Sequence, residues 1–117
     1  MKVTYEIENG KKIKVKTYVD GTVYKYDENG KEIYRKYYSG LEEWRTYDDE
    51  NMIYFKNSLG YERWLDYDSN GNEIHTWDNR GYKDWNEYDA YGICIHFKTN
   101  NGIEWFDEYY EARKVCW

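Results

Sequence analysis

Nine glycines stand at positions 10, 21, 30, 40, 60, 71, 81, 92 and 102 of a 117-residue chain, and every interval but one is 9, 10 or 11 residues. The exception, 20 residues between Gly40 and Gly60, is one missing rung near residue 50. Intervals of this length are too short for a helical hairpin and fit a strand of five to seven residues plus a tight turn. The rungs also alternate in type, which sets a longer period of about 21 residues holding two strands and two turns. The clearest unit is YDSNGNEIHTWDNRGYKDWNE (67–87), preceded by 26–46 and 47–66 and followed by 88–108. A degenerate first copy covers 6–25, and residues 109–117 form a half-copy whose terminal strand is expected to close the sheet.

Each unit opens on Asn-Gly or a substitute: Asn9-Gly10, Asn29-Gly30, Asn70-Gly71 and Tyr91-Gly92. Asn-Gly accepts positive φ at both central positions, so these are expected to be type I′ hairpin turns. Strand A then carries Ile33, Ile53, Ile74 or Ile95, each followed by a ring: Tyr34, Tyr54, His75 or His96. Strand B begins after Gly40, Gly60, Gly81 or Gly102, with Trp44, Trp64, Trp85 or Phe106 four residues further on. No apolar stripe of helical period occurs and the chain has no proline, so nearly every strand can donate to two neighbours. The expected fold is all-β: an antiparallel meander of about ten to eleven short strands, from five to six two-strand repeats, in one domain over residues 1–117.

Composition decides how such a sheet can be covered. Ile, Leu, Val and Phe total only 19 residues, whereas Tyr, Trp and Phe total 25. Rings must therefore supply the apolar area, at roughly 150–250 Å² each. Alternation in strand B sets Glu42, Trp44 and Thr46 on one face and Leu41, Glu43, Arg45 and Tyr47 on the other, so both faces mix rings with charges. A sandwich would show one clean apolar face, and a single-layer sheet, twisted or curled, is expected instead.

The openings Tyr26-Asp27, Tyr47-Asp48, Tyr67-Asp68 and Tyr88-Asp89, with the turns that follow them, resemble the YD (RHS-type) repeats of bacterial proteins. The two-strand period is more loosely similar to ywqK- and MORN-like β-hairpin repeats. The resemblance covers residues 26–108 and implies a structural or binding role as shell, toxin-associated scaffold or antitoxin-like partner, with no catalytic residues carried over.

The residues offer little chemistry of their own. His75 and His96 are the only histidines and recur at one position of the repeat, two strands and roughly 9.6 Å apart, too far to share an ion. Cys94 and Cys116 fall at offset positions and are expected to be free thiols. The three serines lie in expected turns without a histidine partner, and no phosphate-cradling loop is present. The expectation is no enzyme, no metal and no cofactor. The chain carries a net charge of −6, distributed as +3 over residues 1–36 and −9 over 37–117; this argues against direct nucleic-acid binding. Without a long apolar run or a leader-like start, no membrane association and a cytoplasmic location, in a bacterium or a phage-infected host, are expected.

What remains is a surface of rings and acids. The candidate binding residues are Trp44, Trp64 and Trp85, together with the acidic aromatic stretch Trp105, Phe106, Asp107, Glu108, Tyr109, Tyr110 and Glu111. Such a surface suits a basic protein partner, a nucleic-acid-binding protein among them. The leading expectation is a binding module of inhibitor or immunity type, which includes phage anti-CRISPR and other counter-defence proteins. A carbohydrate-binding module with stacking platforms is the alternative, a designed or excised repeat fragment a third, and a homodimer through the sheet edges is compatible with each.

Overall fold

The computed structural model describes residues 1–107; the half-copy at 109–117 and Cys116 lie outside the described residues. Eleven strands follow one another: β1 (Lys2–Glu8), β2 (Lys11–Thr17), β3 (Val23–Tyr26), β4 (Glu32–Lys36), β5 (Glu42–Asp48), β6 (Asn51–Asn57), β7 (Glu62–Tyr67), β8 (Glu73–Asp78), β9 (Lys83–Tyr88), β10 (Cys94–Thr99) and β11 (Glu104–Phe106). Each pairs antiparallel with its sequence neighbours in one open sheet ordered β1 to β11, and the described residues contain no helix. The all-β single-layer meander read from the glycine ladder is therefore the fold.

The sheet is a ribbon measuring 56 × 28 × 24 Å. Ten inter-strand steps of about 4.8 Å account for most of its length. Its Cα radius of gyration is 18.6 Å, against about 13 Å for a compact chain of this size. Among the described residues only Ile13, Val15, Leu65 and Ile95 are buried apolar side chains. The described residues form no central core; their fold is held by neighbour-to-neighbour pairing and by what lies on the two faces.

The turns differ from the expected type. Only at Asn9-Gly10 do both central residues have positive φ, 51° and 78°. At residues 27–31, 68–72 and 89–93, glycine alone enters the left-handed region; its amide bonds back three residues, and the amide of the opening Asp bonds to the carbonyl of the residue after the glycine. This is a three-residue loop, a type I turn closed by a left-handed glycine. The opening aspartate caps it: Asp68 Oδ1 accepts from the amides of Asn70 and Asn72, both at 2.9 Å, and Asp27 and Asp89 do the same in their units. Where the rung is missing, Asp49 itself takes φ 52°.

Every strand A isoleucine is a β-bulge. Lys25 pairs with Tyr34 and Tyr26 with Glu32, so Ile33 has no partner; Ile53, Ile74 and Ile95 are skipped likewise. A bulge bends its strand and raises the local twist. Four of them, 20 or 21 residues apart, curl the ribbon regularly.

Candidate functional site

The faces are built by register. Tyr34 lies opposite Trp44, Tyr54 opposite Trp64, His75 opposite Trp85 and His96 opposite Phe106. These pairs share one face and form a ladder of rings. Centroid separations are 5.7 Å for Tyr34–Trp44 and for Tyr54–Trp64, then 6.2 Å for Trp64–Trp77, 4.7 Å for Trp77–His75 and 5.0 Å for His75–Trp85. Cations fill the two breaks, with the Lys56 ammonium 5.1 Å from the Trp44 ring and that of Lys98 5.5 Å from Trp85. His96 lies flat on Phe106 at 4.1 Å and 6°.

The opposite face carries ionic and buried polar groups. Arg45 bonds Glu32 and Glu43 at 3.1 and 3.0 Å and lies over Phe55, while Arg35 bonds Glu32 and lies over Tyr24. Here also stand the tyrosines of the Tyr-Asp openings. Three of the four donate their hydroxyl to a carbonyl beside a bulge: Tyr47 to Glu32 and Tyr67 to Met52, both at 2.7 Å, and Tyr88 to Glu73 at 2.6 Å. Burial raises the pKa of all three, so the hydroxyl stays protonated and remains a donor. In the units that open at 67 and 88 both residues of the motif that carries the YD resemblance are structural: tyrosine gives a donor to a carbonyl beside the bulge, and aspartate caps the turn.

The expected site residues are divided by this geometry. Trp44, Trp64, Trp85 and Phe106 share the ring-ladder face, whereas Trp105, opposite Phe97, points to the other. Asp107 follows β11, its amide bonded to the Ile95 carbonyl. Glu108, Tyr109, Tyr110 and Glu111 lie outside the described residues.

The acidic charge has its own location, one not seen while reading the chain linearly. The turns alternate between the two long rims of the ribbon. One rim carries the turns at 8–11, 27–31, 48–51, 68–72 and 89–93, with the carboxylates Glu8, Asp27, Glu28, Asp48, Asp49, Glu50, Asp68 and Asp89 against Lys11 and Lys31. The other, with turns at 17–22, 37–41, 57–61, 78–82 and 99–103, has only Asp20, Asp78 and Arg80. Successive turns on a rim are two strands, roughly 9.6 Å, apart. The acidic rim is therefore a row of negative charge along the long edge, with Glu8, Glu28, Asp48, Asp49 and Glu50 exposed. The signal was present in the composition of alternate turns.

Titratable groups elsewhere serve the fold. Tyr34 is pushed up to about 12 by burial and its hydrogen bond to Glu42. Burial raises Glu73 and the Cys94 thiol. His75 Nδ1 is 2.6 Å from the Asp84 carbonyl, and His96 bridges Glu87 and Glu104 at 3.0 and 2.7 Å. Among the described residues no three His, Cys, Asp or Glu side chains are grouped as a metal site. Two shallow grooves, of about 500 and 330 Å³, lie on the N-terminal half beside Tyr5, Lys14 and Tyr26 and beside Ile33 and Trp44.

These features define a class, the open single-layer β-repeat ribbon with one ring-laddered face and one acidic rim. No family model and no curated protein matches the chain.

Proposed function

We propose that the chain is a non-enzymatic binding module of inhibitor or immunity type, which lays its acidic rim against the basic, nucleic-acid-binding surface of another protein. The observation that carries this reading is the segregation of eight carboxylates and two lysines onto one rim. Charges repeated at regular steps along one long edge present a basic groove with the pattern of a polyanion, and complementary potential of this kind steers association and suppresses wrong partners. In this role the protein works in the cytoplasm beside its target, as an immunity protein or a phage counter-defence protein of the anti-CRISPR kind does.

The test neutralises the exposed rim without touching the fold. Glu28, Asp48 and Asp49 have no salt bridge or side-chain hydrogen bond among the described residues, and Asn tolerates the left-handed backbone at position 49. Glu28→Gln/Asp48→Asn/Asp49→Asn should retain the native circular dichroism and lose partners captured from a bacterial lysate. Wild-type capture should weaken steeply with salt. Partners held equally by wild type and variant, at all salt concentrations, would exclude the rim as the docking element.

The ring ladder favours a second reading, a carbohydrate-binding module. Trp85 and Phe106 are 36% and 57% exposed on the ladder face, and flat rings of this kind stack against sugars. Tryptophan fluorescence titrated with an oligosaccharide panel at millimolar concentration decides it: a shift abolished by Trp85→Ala supports the reading, and a flat response removes it.

A further inference from the structure

Among the described residues β1 is the outermost strand, and all seven of its residues are exposed. Proteins ordinarily blunt such an edge with a proline, a bulge, an inward charge or brevity. β1 has no proline, pairs with β2 without a register shift, and is as long as any strand of the sheet. Val3, Tyr5 and Ile7 share one face at 41%, 56% and 71% exposure. The two-residue turn at Asn9-Gly10 closes on Glu8 opposite Lys11, a hydrogen-bonded pair in such hairpins. By alternation, Lys2, Thr4, Glu6 and Glu8 direct their backbone groups to β2, and Val3, Tyr5 and Ile7 direct theirs outward.

We infer that β1 pairs antiparallel with β1 of a second copy of this chain, about a two-fold axis at Tyr5. The strand is complementary to itself in that register. Val3 stands opposite Ile7, Tyr5 opposite Tyr5 and Lys2 opposite Glu8, so the outward backbone groups exchange about six hydrogen bonds while ion pairs close both ends. The apolar side chains of both copies merge into one row flanked by lysine stems, of which Lys12 already places its ammonium 4.3 Å from the Tyr5 ring centroid. A one-residue slip would oppose backbone groups already used by β2, and a two-residue slip would leave Lys2 or Glu8 unmatched. The interface is isologous, and its axis turns the two acidic rims to opposite long sides of a doubled ribbon.

Sedimentation or light scattering at micromolar concentration should return about twice the 14.5 kDa of the chain. Tyr5→Pro, which removes one outward amide and no bond to β2, and Ile7→Lys should each halve that mass with unchanged circular dichroism. In a Cys94→Ser/Cys116→Ser background, Tyr5→Cys should cross-link to dimer on mild oxidation, since facing Cα atoms lie about 5.5 Å apart. Thr4→Cys, which faces Glu6, should not. A monomeric mass for the wild type, a dimer that survives both Tyr5→Pro and Ile7→Lys, or equal cross-linking of the two cysteine variants would overturn the pairing.

Discussion

Tyr67 shows how one side chain meets a need that the backbone creates. Its hydroxyl reaches the Met52 carbonyl at 2.7 Å beside the Ile53 bulge. Tyr67→Phe keeps the ring and leaves that carbonyl short of a donor; the expected loss is about 1 kcal/mol, read from the urea midpoint at unchanged slope. His96 is the residue whose charge couples to folding near neutrality. Burial opposes its protonation, but the hydrogen bonds that the ring donates to Glu104 and Glu87 outweigh it and raise its pKa above 6.5. A pKa raised by folding contributes stability that is fully present below 6.5 and is lost as pH rises through the folded value. The thermal midpoint should therefore fall as pH rises from 6 to 8 through this group, and His96→Gln should remove that part of the slope.

The two-strand unit repeats a device as well as a length. Its opening turn is capped by aspartate in the units that open at 26, 67 and 88, its strand A carries a bulged isoleucine, and its second turn is stapled to the previous one. In the staple, the Ser58, Asn79 and Asn100 amides bond to the Glu42, Glu62 and Lys83 carbonyls, and their side chains accept from the same residues' amides. The bulge residue is half-buried at Ile33 and fully enclosed at Ile95. Ile95→Ala should cost about 3 kcal/mol in denaturant unfolding, and Ile33→Ala about 1 kcal/mol. Equal losses at both sites would mean that the bulge, and not its burial, sets the contribution. The turns and strands of this unit were legible from glycine and ring spacing. The bulges were not, because Ile33 and its equivalents read as ordinary in-register strand residues; only the pairing of Tyr34 with Lys25 and of Glu32 with Tyr26 exposes the extra residue.

A ribbon without a central core is stabilised as a chain of neighbour interactions, as in solenoids. Removing residues 67–87 takes out one whole unit and joins Asp66 to Tyr88, the equivalent of Tyr67, so strand direction, faces and rims continue unbroken. This deletion should fold into a ribbon shorter by two strand spacings, about 10 Å in X-ray scattering. Excision of one strand with one turn reverses every later strand and should not give a folded chain. Charge also acquires its meaning at this scale. Glu28, Asp48 and Asp68 are unremarkable turn residues one at a time, and the meander collects them on a single rim because every second turn returns to the same side.

The sequence alone determined the class of fold, since glycines about ten residues apart with rings at set positions between them admit short antiparallel strands and little else. It also determined the alternation of side chains, and hence that Trp44, Trp64, Trp85 and Phe106 stand on equivalent faces of their strands. Only the tertiary structure decided that the Tyr-Asp openings bind bulges and turns, and that the acids of alternate turns gather on one rim. The physical reason is that period-two alternation is local to a strand, whereas bulge position, cross-strand register and the gathering of distant turns on one rim depend on how each strand is paired with the next.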